Sequence, residues 1–211
     1  TTPILRKLWQ GDYAHEGEFF QFPSTTSAPK PVQENGPPIW IAARDPSSHE
    51  FAVANDFNVQ VTPLWQGMDE ISSLMGRFNE AKANHPEKTP KIMLLHHAYV
   101  AKDLRDAEQA IHELTKFYCY FGAWFQNKRP VLHGKIQKLT DRDIAENKMI
   151  SAKNLAHDLT VGTASEVIDR LKRYEYMGYD EFAFWSDSGM SGERKKDSLA
   201  RFVDDVMPAF Q

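Results

Sequence analysis

The stretch PPIWIAARDPSSHEFAVAND, residues Pro37 to Asp56, decides the fold of this sequence. Residues Ile39 to Ala43 are apolar without a break, and helix-forming sequence begins at about Pro46. A short apolar run that leads directly into a helix is typical of a buried parallel strand followed by its crossover helix. The stretch therefore predicts one βα unit of an α/β fold.

The same alternation continues along the chain. Three further apolar runs are predicted as strands: Asn58–Trp65, Lys91–Val100 and Glu181–Trp185. Helical patterns are predicted at about 46–55, from near Asp69, at 104–126, at 162–178 and at 197–210. Repeated βα units imply a parallel sheet with right-handed crossovers. Four such units supply either half of an eight-stranded barrel or a small open sheet.

Two segments lack a clear helical or strand period. Residues 1–37 are predicted to be an irregular approach with short extended pieces, and residues 38–211 to form the α/β unit. Within that unit, the span of about 129–160 is polar and is predicted to be a long loop with a partial helix. Loops of such length are often functional.

Composition limits the classes of function. With 211 residues, 26% charged and 41% hydrophobic, an ordinary globular protein is expected. A net charge of −4 argues against a nucleic-acid partner, and no apolar run is long enough to cross a membrane. The single cysteine, Cys119, excludes an internal disulfide and favours a cytoplasmic location. The eight histidines and this cysteine show no zinc-ligand spacing, so no metal is predicted.

The start of the helix at residue 46 is a candidate anion site. In α/β folds, ligands bind at the carboxyl ends of strands, and this helix begins at such an end. Ser47, Ser48 and His49 are expected to present backbone N–H groups there, and the serines add hydroxyl donors. These donors and the helix dipole favour an anion, above all a phosphate. In the alternative interpretation, Asp45 caps the helix and the serines face solvent.

Adjacent histidines on the third predicted strand form a second candidate. His96 and His97 must point to opposite faces of the sheet, so only one faces the interior as a possible acid–base group. We take His97 as the candidate, although the sequence does not distinguish it from His96, and a hydrogen-bonded buried histidine is the alternative. Trp65 and Trp185 end predicted strands, where they either wall a substrate pocket or pack the core. Cys119 has no base beside it and is not a candidate nucleophile.

Four stretches together resemble the C-terminal half of the bacterial luciferase-like flavin-dependent monooxygenases. In order, they are LWQGDYAHEGEFFQF, PKPVQENGPPIWIAARDPSSHEFAVAND, VGTASEVIDRLKRYEYMGYDEFAFW and SLARFVDDVMPAF. The resemblance implies a TIM (β/α)8 barrel, of which this chain supplies the C-terminal four βα units, a half barrel. A half barrel exposes sheet edges, so we expect either the missing half or dimerisation to cover them.

The resemblance also implies the cofactor and its site. Reduced FMN is expected at the carboxyl rim, with its phosphate on the serine-containing helix start. The cofactor-binding candidates at the matching positions are Ala43, Arg44, Ser47, Ser48 and His49. Tyr118, on the long helix that follows the third predicted strand, is expected against the isoalloxazine ring, with a core tyrosine as the alternative.

The implied function is a flavin-dependent monooxygenase that uses reduced FMN and O2 to oxygenate a small organic substrate. A separate flavin reductase is expected to supply reduced flavin, and the protein is expected to be a homo-oligomer. Two alternatives stay open: a non-catalytic flavin-binding or assembly subunit, and a deazaflavin-dependent oxidoreductase of the same fold. Flavin binding without oxygen consumption would favour the first, and preference for deazaflavin the second.

Overall fold

The computed structural model describes residues 2–34, 36–126, 129–147 and 149–210. The strands are β1 (Tyr13–Glu16), β2 (Gln21–Thr25), β3 (Trp40–Ala42), β4 (Asn58–Val61), β5 (Ile92–Val100), β6 (Val131–Leu132), β7 (Lys135–Ile136), β8 (Thr160–Gly162) and β9 (Glu181–Trp185). The helices are α1 (Thr2–Gln10), α2 (Pro46–Ala54), α3 (Met68–Asn84), α4 (Leu104–Phe125), α5 (Asp141–Ala145), α6 (Ala152–Asp158), α7 (Ala164–Met177) and α8 (Gly192–Arg201).

A parallel sheet built around β5 is the centre of the fold. β3 pairs with β4, and β4 pairs with the first residues of β5. The middle of β5 pairs with β9, and its last residues, Ala98 to Val100, pair with β8. Because all these pairs are parallel and helices connect successive strands, the predicted α/β class is confirmed. Over the described residues the sheet does not close into a barrel.

The two faces of the sheet differ. Val59, Val61, Ile92 and Leu94 are buried on one face, against α2, α3 and α7. Complete burial of such a side chain stabilises the fold by about 1.5–3 kcal/mol. The residues between them point the other way. On that second face, which we call the open face, paired residues such as Gln60 and Met93 are only half-buried.

Helix α4 covers the carboxyl end of the open face. Its buried residues include Leu114 and Tyr118, which belong to a second core cluster with Tyr99 of β5 and Leu155 of α6. The helix is capped by Asp103, whose side chain accepts a hydrogen bond from the amide of Asp106. Two separate cores therefore hold the sheet, one beneath it and one at its carboxyl end.

Sequence signals at α7 agree with the structure. The carboxylate of Glu166 accepts hydrogen bonds from the amide and the hydroxyl of Thr163, both at 2.8 Å. The helix stops at Gly178, which has a φ of 101°, a conformation that favours glycine. The predicted start and end of this helix are confirmed.

Several segments differ from the sequence prediction. Strand β3 was expected to be buried but is half-buried, with Ala42 exposed, and β4 ends at Val61 rather than at Trp65. Strand β8 was not predicted.

The segment expected to be irregular with short extended pieces does contain such pieces, as the antiparallel pair of β1 and β2, but it also contains helix α1, which was not predicted. The division of the chain at residue 37 stays a prediction. The expected loop at 129–160 contains an antiparallel pair, β6 and β7, and two short helices, which were too short to show a period. The last helix, expected at 197–210, starts earlier at Gly192 and ends in a π turn and a 3-10 turn.

Candidate functional site

The start of α2 is capped by Asp45. Its carboxylate accepts hydrogen bonds from the Ser48 amide at 3.0 Å and from the hydroxyls of Ser47 and Ser48, each at 2.6 Å. Hydrogen bonds from Ser47 and Ser48 hold the pKa of Asp45 well below its usual range. The alternative weighed from the sequence, a helix cap, is thus what the structure contains. The same geometry shows that three donors converge on one anionic group at this helix start.

Ala43 and His49 are enclosed by protein. The Ala43 side chain is buried, and its amide extends the pairing of β3 by donating to the Gln60 carbonyl at 3.0 Å. The imidazole of His49 is also buried, and neither ring nitrogen has a hydrogen-bond partner among the described residues. Burial, followed by the charge of Arg77, lowers the pKa of His49. The two residues lie at the predicted place, but their side chains do not open onto the rim.

Two guanidinium groups lie beside the helix start. Arg44 is exposed and donates to the Gln66 side chain at 2.7 Å. Arg77, on α3, donates to the Arg44 carbonyl at 2.5 Å, and both arginines lie within 4 Å of Glu70. Sequence reasoning missed Arg77 because nothing in the pattern of α3 indicates which neighbour its polar face meets. The donors at Ser47 and Ser48 and these cations fit a phosphate group, provided that Asp45 turns away.

His96 and His97 point to opposite faces, as their adjacency predicted. The Nδ1 atom of His96 lies 3.0 Å from the Thr160 hydroxyl, and its ring packs edge-on against Tyr174 of α7. His97 lies on the open face and stacks on Trp185, with ring centroids 3.8 Å apart. The structure therefore resolves the choice in orientation that the sequence left open.

A chain of hydrogen bonds runs through His97. Its Nε2 atom donates to the Asp187 carbonyl at 2.9 Å, and its Nδ1 atom shares a hydrogen bond with the Tyr118 hydroxyl. The same hydroxyl lies 3.0 Å from the carbonyl of Leu64, a residue that has a positive φ of 59°. Burial lowers the pKa of His97 to about 4, so the ring is neutral near pH 7.

The number of protons on His97 and Tyr118 determines how many of these hydrogen bonds can form at once. The two terminal acceptors are carbonyl groups, so all three hydrogen bonds are complete only when three protons are present. A neutral His97 and Tyr118 together carry two protons for these bonds. The pair therefore accommodates one further proton without breaking a hydrogen bond.

Tyr118 occupies the core in this structure. Its side chain has no exposed surface, and burial raises the pKa of its hydroxyl far above the usual range. The predicted contact with a flavin ring stays a prediction. Partly exposed aromatic rings nearby include Trp65, which meets the Tyr118 ring edge-on at 6.0 Å.

The helix start and the aromatic cluster lie on one rim. Gln66 accepts a hydrogen bond from Arg44, and its neighbour Trp65 contacts Tyr118, so the two groups are connected through the loop between β4 and α3. A cleft of about 520 Å³ opens beside Trp65 and Gln66, between the start of α3 and the end of α6, and its lining also includes Glu70 and His157 but not Ser47 or Ser48. Its volume lies within the range of small-molecule sites. The described residues contain no group of three or more side chains placed to hold a metal ion.

Comparison with known proteins gives the family. The luciferase-like monooxygenase family model matches residues 1–181, and the chain belongs to this family. It is 54% identical, over 209 residues, to the oxygenase component of the flavin-dependent trigonelline monooxygenase of Acinetobacter baylyi. That match covers 99% of this chain and 58% of the relative, so the chain spans less than two thirds of the relative's length.

Solved structures share the fold at low identity. The coenzyme F420-dependent tetrahydromethanopterin reductase of Methanopyrus kandleri matches with a TM-score of 0.72 and 13% identity, over 99% of this chain and 61% of that one. The oxygenating constituent of 3,6-diketocamphane monooxygenase of Pseudomonas putida, solved with FMN, matches with a TM-score of 0.64 and 15% identity, over the same shares. At these identities the matches show the fold alone.

No described helix is long and apolar enough to span a lipid bilayer.

Proposed function

We propose that this chain is the C-terminal half of a (β/α)8 barrel in a two-component monooxygenase, which uses reduced FMN and O2 to oxygenate a small organic substrate. The observation that carries the proposal is the 54% identity with the oxygenase component of a flavin-dependent monooxygenase, over nearly the whole chain. The open face and the unclosed sheet support the half barrel. A separate reductase would supply reduced FMN, because the relative is an oxygenase component.

We assign the flavin phosphate to the start of α2. Ser47 and Ser48 already direct three donors at one carboxylate, and a phosphate offers the same kind of acceptor. Arg44 and Arg77 supply the positive charge that favours a dianion over Asp45. Reduced FMN, when bound, supplies the electrons for activation of O2. Ala43 and His49 shape the turn from within rather than by touching the cofactor.

His97 would act as a positioning residue at the rim. It holds its proton at Nε2 against the Asp187 carbonyl, shares a hydrogen bond with Tyr118 at Nδ1, and stays neutral near pH 7. Because its ring is only 1% exposed, we assign it to the positioning of Trp185 rather than to proton transfer or contact with the substrate. The homo-oligomer and the cytoplasmic location stay predictions.

Differential flavin binding tests the phosphate assignment. The variant carrying both Ser47→Ala and Ser48→Ala should lose affinity for reduced FMN and keep its affinity for riboflavin, which lacks the phosphate. Each lost charge-assisted hydrogen bond should cost about 1.5–3 kcal/mol, so the loss should exceed tenfold. Ser72→Ala, at an exposed serine of α3, is the matched control. Equal losses for both flavins would contradict the assignment.

The two alternatives are tested in the same anaerobic titration. The fold alone does not separate them, because an F420-dependent reductase shares it. Tighter binding of deazaflavin than of FMN would favour the deazaflavin oxidoreductase. Binding of reduced FMN without oxygen consumption, in the presence of a reductase and substrate, would favour the non-catalytic subunit.

A further inference from the structure

An aromatic cleft lies on the face of α4 beside His97. Its volume is about 700 Å³, and it opens between α4, the β6–β7 hairpin and the loop that follows β9. It is lined by Phe117, Tyr120, Phe121, Trp124, Ile136 and Ser188, among other residues. The four aromatic residues follow the i, i+3, i+4, i+7 spacing of a single helix face. We call this cavity the α4 cleft.

The aromatic wall of the α4 cleft is open to solvent. The Trp124 side chain is 58% exposed, and Phe121 is half-buried. Phe117 stacks on Phe121 with a centroid distance of 6.0 Å, and the indole of Trp124 tilts against Phe121 at 5.8 Å. Exposed aromatic surface that is concave and contiguous is typical of a binding site rather than of a solvated helix face.

The α4 cleft shares a wall with the His97 cluster. The Phe117 ring meets the His97 ring edge-on at 5.2 Å, and it also contacts Trp185. Ser188 lines the α4 cleft and follows Asp187, whose carbonyl accepts the hydrogen bond from His97. A ligand in the α4 cleft would therefore lie one ring away from His97.

Two charged side chains line the α4 cleft, and they differ in whether another side chain pairs with them. Glu113 contributes a carboxylate, but Arg194 of α8 neutralises it at 2.6 Å. Lys116 also lines the α4 cleft and is exposed, and it forms no ion pair with another described residue. The α4 cleft thus offers aromatic faces, which attract cations, together with one ammonium group for an anion.

We propose that the α4 cleft binds the organic substrate, a planar heteroaromatic cation that carries a carboxylate. The aromatic faces of Phe121 and Trp124 would hold the cationic ring, and Lys116 would pair with the carboxylate. This inference rests on the proposed function, and it agrees with the name of the relative that acts on trigonelline, a methylated pyridinium carboxylate. The residues proposed here to bind the substrate were not among the candidates selected from the sequence.

Three small probes test the proposal by calorimetry on the purified protein, with and without FMN. N-methylnicotinate carries both the cationic ring and the carboxylate, nicotinate lacks the ring cation, and N-methylpyridinium lacks the carboxylate. Trp124→Leu should weaken N-methylnicotinate about tenfold and nicotinate less than threefold. Lys116→Gln should weaken both carboxylates equally and leave N-methylpyridinium unchanged. Tyr176→Leu, which removes another exposed aromatic ring, should change nothing.

The outcomes separate this inference from the proposed function. If the wild-type protein binds none of the probes in either flavin state, or if Trp124→Leu and Lys116→Gln bind N-methylnicotinate like the wild type, the assignment of the α4 cleft is wrong. FMN affinity is measured on the same samples. Binding of N-methylnicotinate by a protein that does not bind FMN would instead contradict the proposed function and leave the α4 cleft in place. Trp124 is exposed, so its replacement is not expected to unfold the protein.

Discussion

The imidazole of His97 lies nearly flat on the indole of Trp185, with the ring planes 17° from parallel. Parallel pairing of β5 and β9 places these two residues side by side on the open face. The chain then turns, so that the carbonyl of Asp187 accepts the hydrogen bond from the same imidazole. Trp185 at the end of β9 thus contacts the face of the His97 imidazole, and Asp187 just after β9 binds its edge.

Stability should depend on pH through His97. Burial lowers its pKa to about 4, whereas the unfolded chain titrates near the ordinary value of 6.5. Between these values the folded protein binds fewer protons, so the free energy of unfolding should fall as pH falls from about 6.5 towards 4. The free energy of unfolding, measured with urea at several pH values between 4.5 and 5.5, should change less steeply with pH in His97→Gln than in the wild type. The difference should be about 1.4 kcal/mol per pH unit.

The exposed His112 provides the control for this experiment. His112→Gln should keep the wild-type slope, because its side chain is solvated in both states. His96, whose pKa burial lowers to about 3, contributes a similar dependence that both variants retain. Equal slopes for His97→Gln and the wild type would show that His97 is protonated in the folded protein.

Removal of the Tyr118 hydroxyl should destabilise the protein. Tyr118→Phe leaves the Nδ1 atom of His97 and the carbonyl of Leu64 buried without this partner. The expected loss is about 1–3 kcal/mol in the free energy of unfolding at pH 7. Tyr176→Phe, at an exposed tyrosine, should change it by less than about 0.5 kcal/mol. If Tyr118→Phe also changed the free energy of unfolding by less than about 0.5 kcal/mol, the Tyr118 hydroxyl would contribute nothing to stability.

Asp45 should compete with the flavin phosphate. Its carboxylate occupies the donors of Ser47 and Ser48, and Asp45→Asn keeps a good helix cap while it removes the negative charge. FMN affinity should therefore rise roughly threefold to tenfold, with no change for riboflavin. An unchanged FMN affinity, measured by anaerobic titration, would mean that the phosphate binds elsewhere.

Arg77 should contribute to FMN binding from α3. Arg77→Gln removes a guanidinium group beside the start of α2, and the affinity for FMN should fall about tenfold at low ionic strength. The effect should shrink as salt is added, because the charge is partly exposed. Arg142→Gln, at an exposed arginine of α5, is the control. If riboflavin weakens equally, Arg77 acts only by holding the Arg44 carbonyl.

Most strands of the sheet were predictable because apolar runs in the sequence mark their positions. The run Ile39 to Ala43 located β3 correctly, but its predicted burial was wrong, because β3 lies at the edge of the sheet with Trp40 and Ile41 half-buried and Ala42 exposed. Strand β8 was missed because three residues are too few to show a pattern. The start of α7 was predictable because Thr163 and Glu166 complete a cap within one turn. Elements of two residues, such as β6, have too few positions to show a period.

The site was predictable only in part, because its decisive contacts cross the fold. The serines at the start of α2 fit both a phosphate and a capping carboxylate, and local chemistry does not choose between them. The orientation of His97 depends on its register with Trp185, which no pattern within β5 contains. Arg77 reaches the site from another helix. Phe117 and Phe121 belong to the apolar stripe of α4 and were interpreted as packing residues, and Trp124 was not selected, so the cleft that they line was not predicted.

Strand β5 pairs with three other strands, β4, β8 and β9, and this has a consequence for the synthesis of the chain. Ile92 pairs with the turn before β9 through Asp180, which lies 88 positions later in the chain. At about 5–20 residues per second, a ribosome needs roughly 4–18 s to make that length. During that interval β5 has one side without its partner strand, a hydrogen-bonding edge that other nascent chains can join. Protection by a chaperone would matter most in this window, and contacts of such long range predict slow folding even after release.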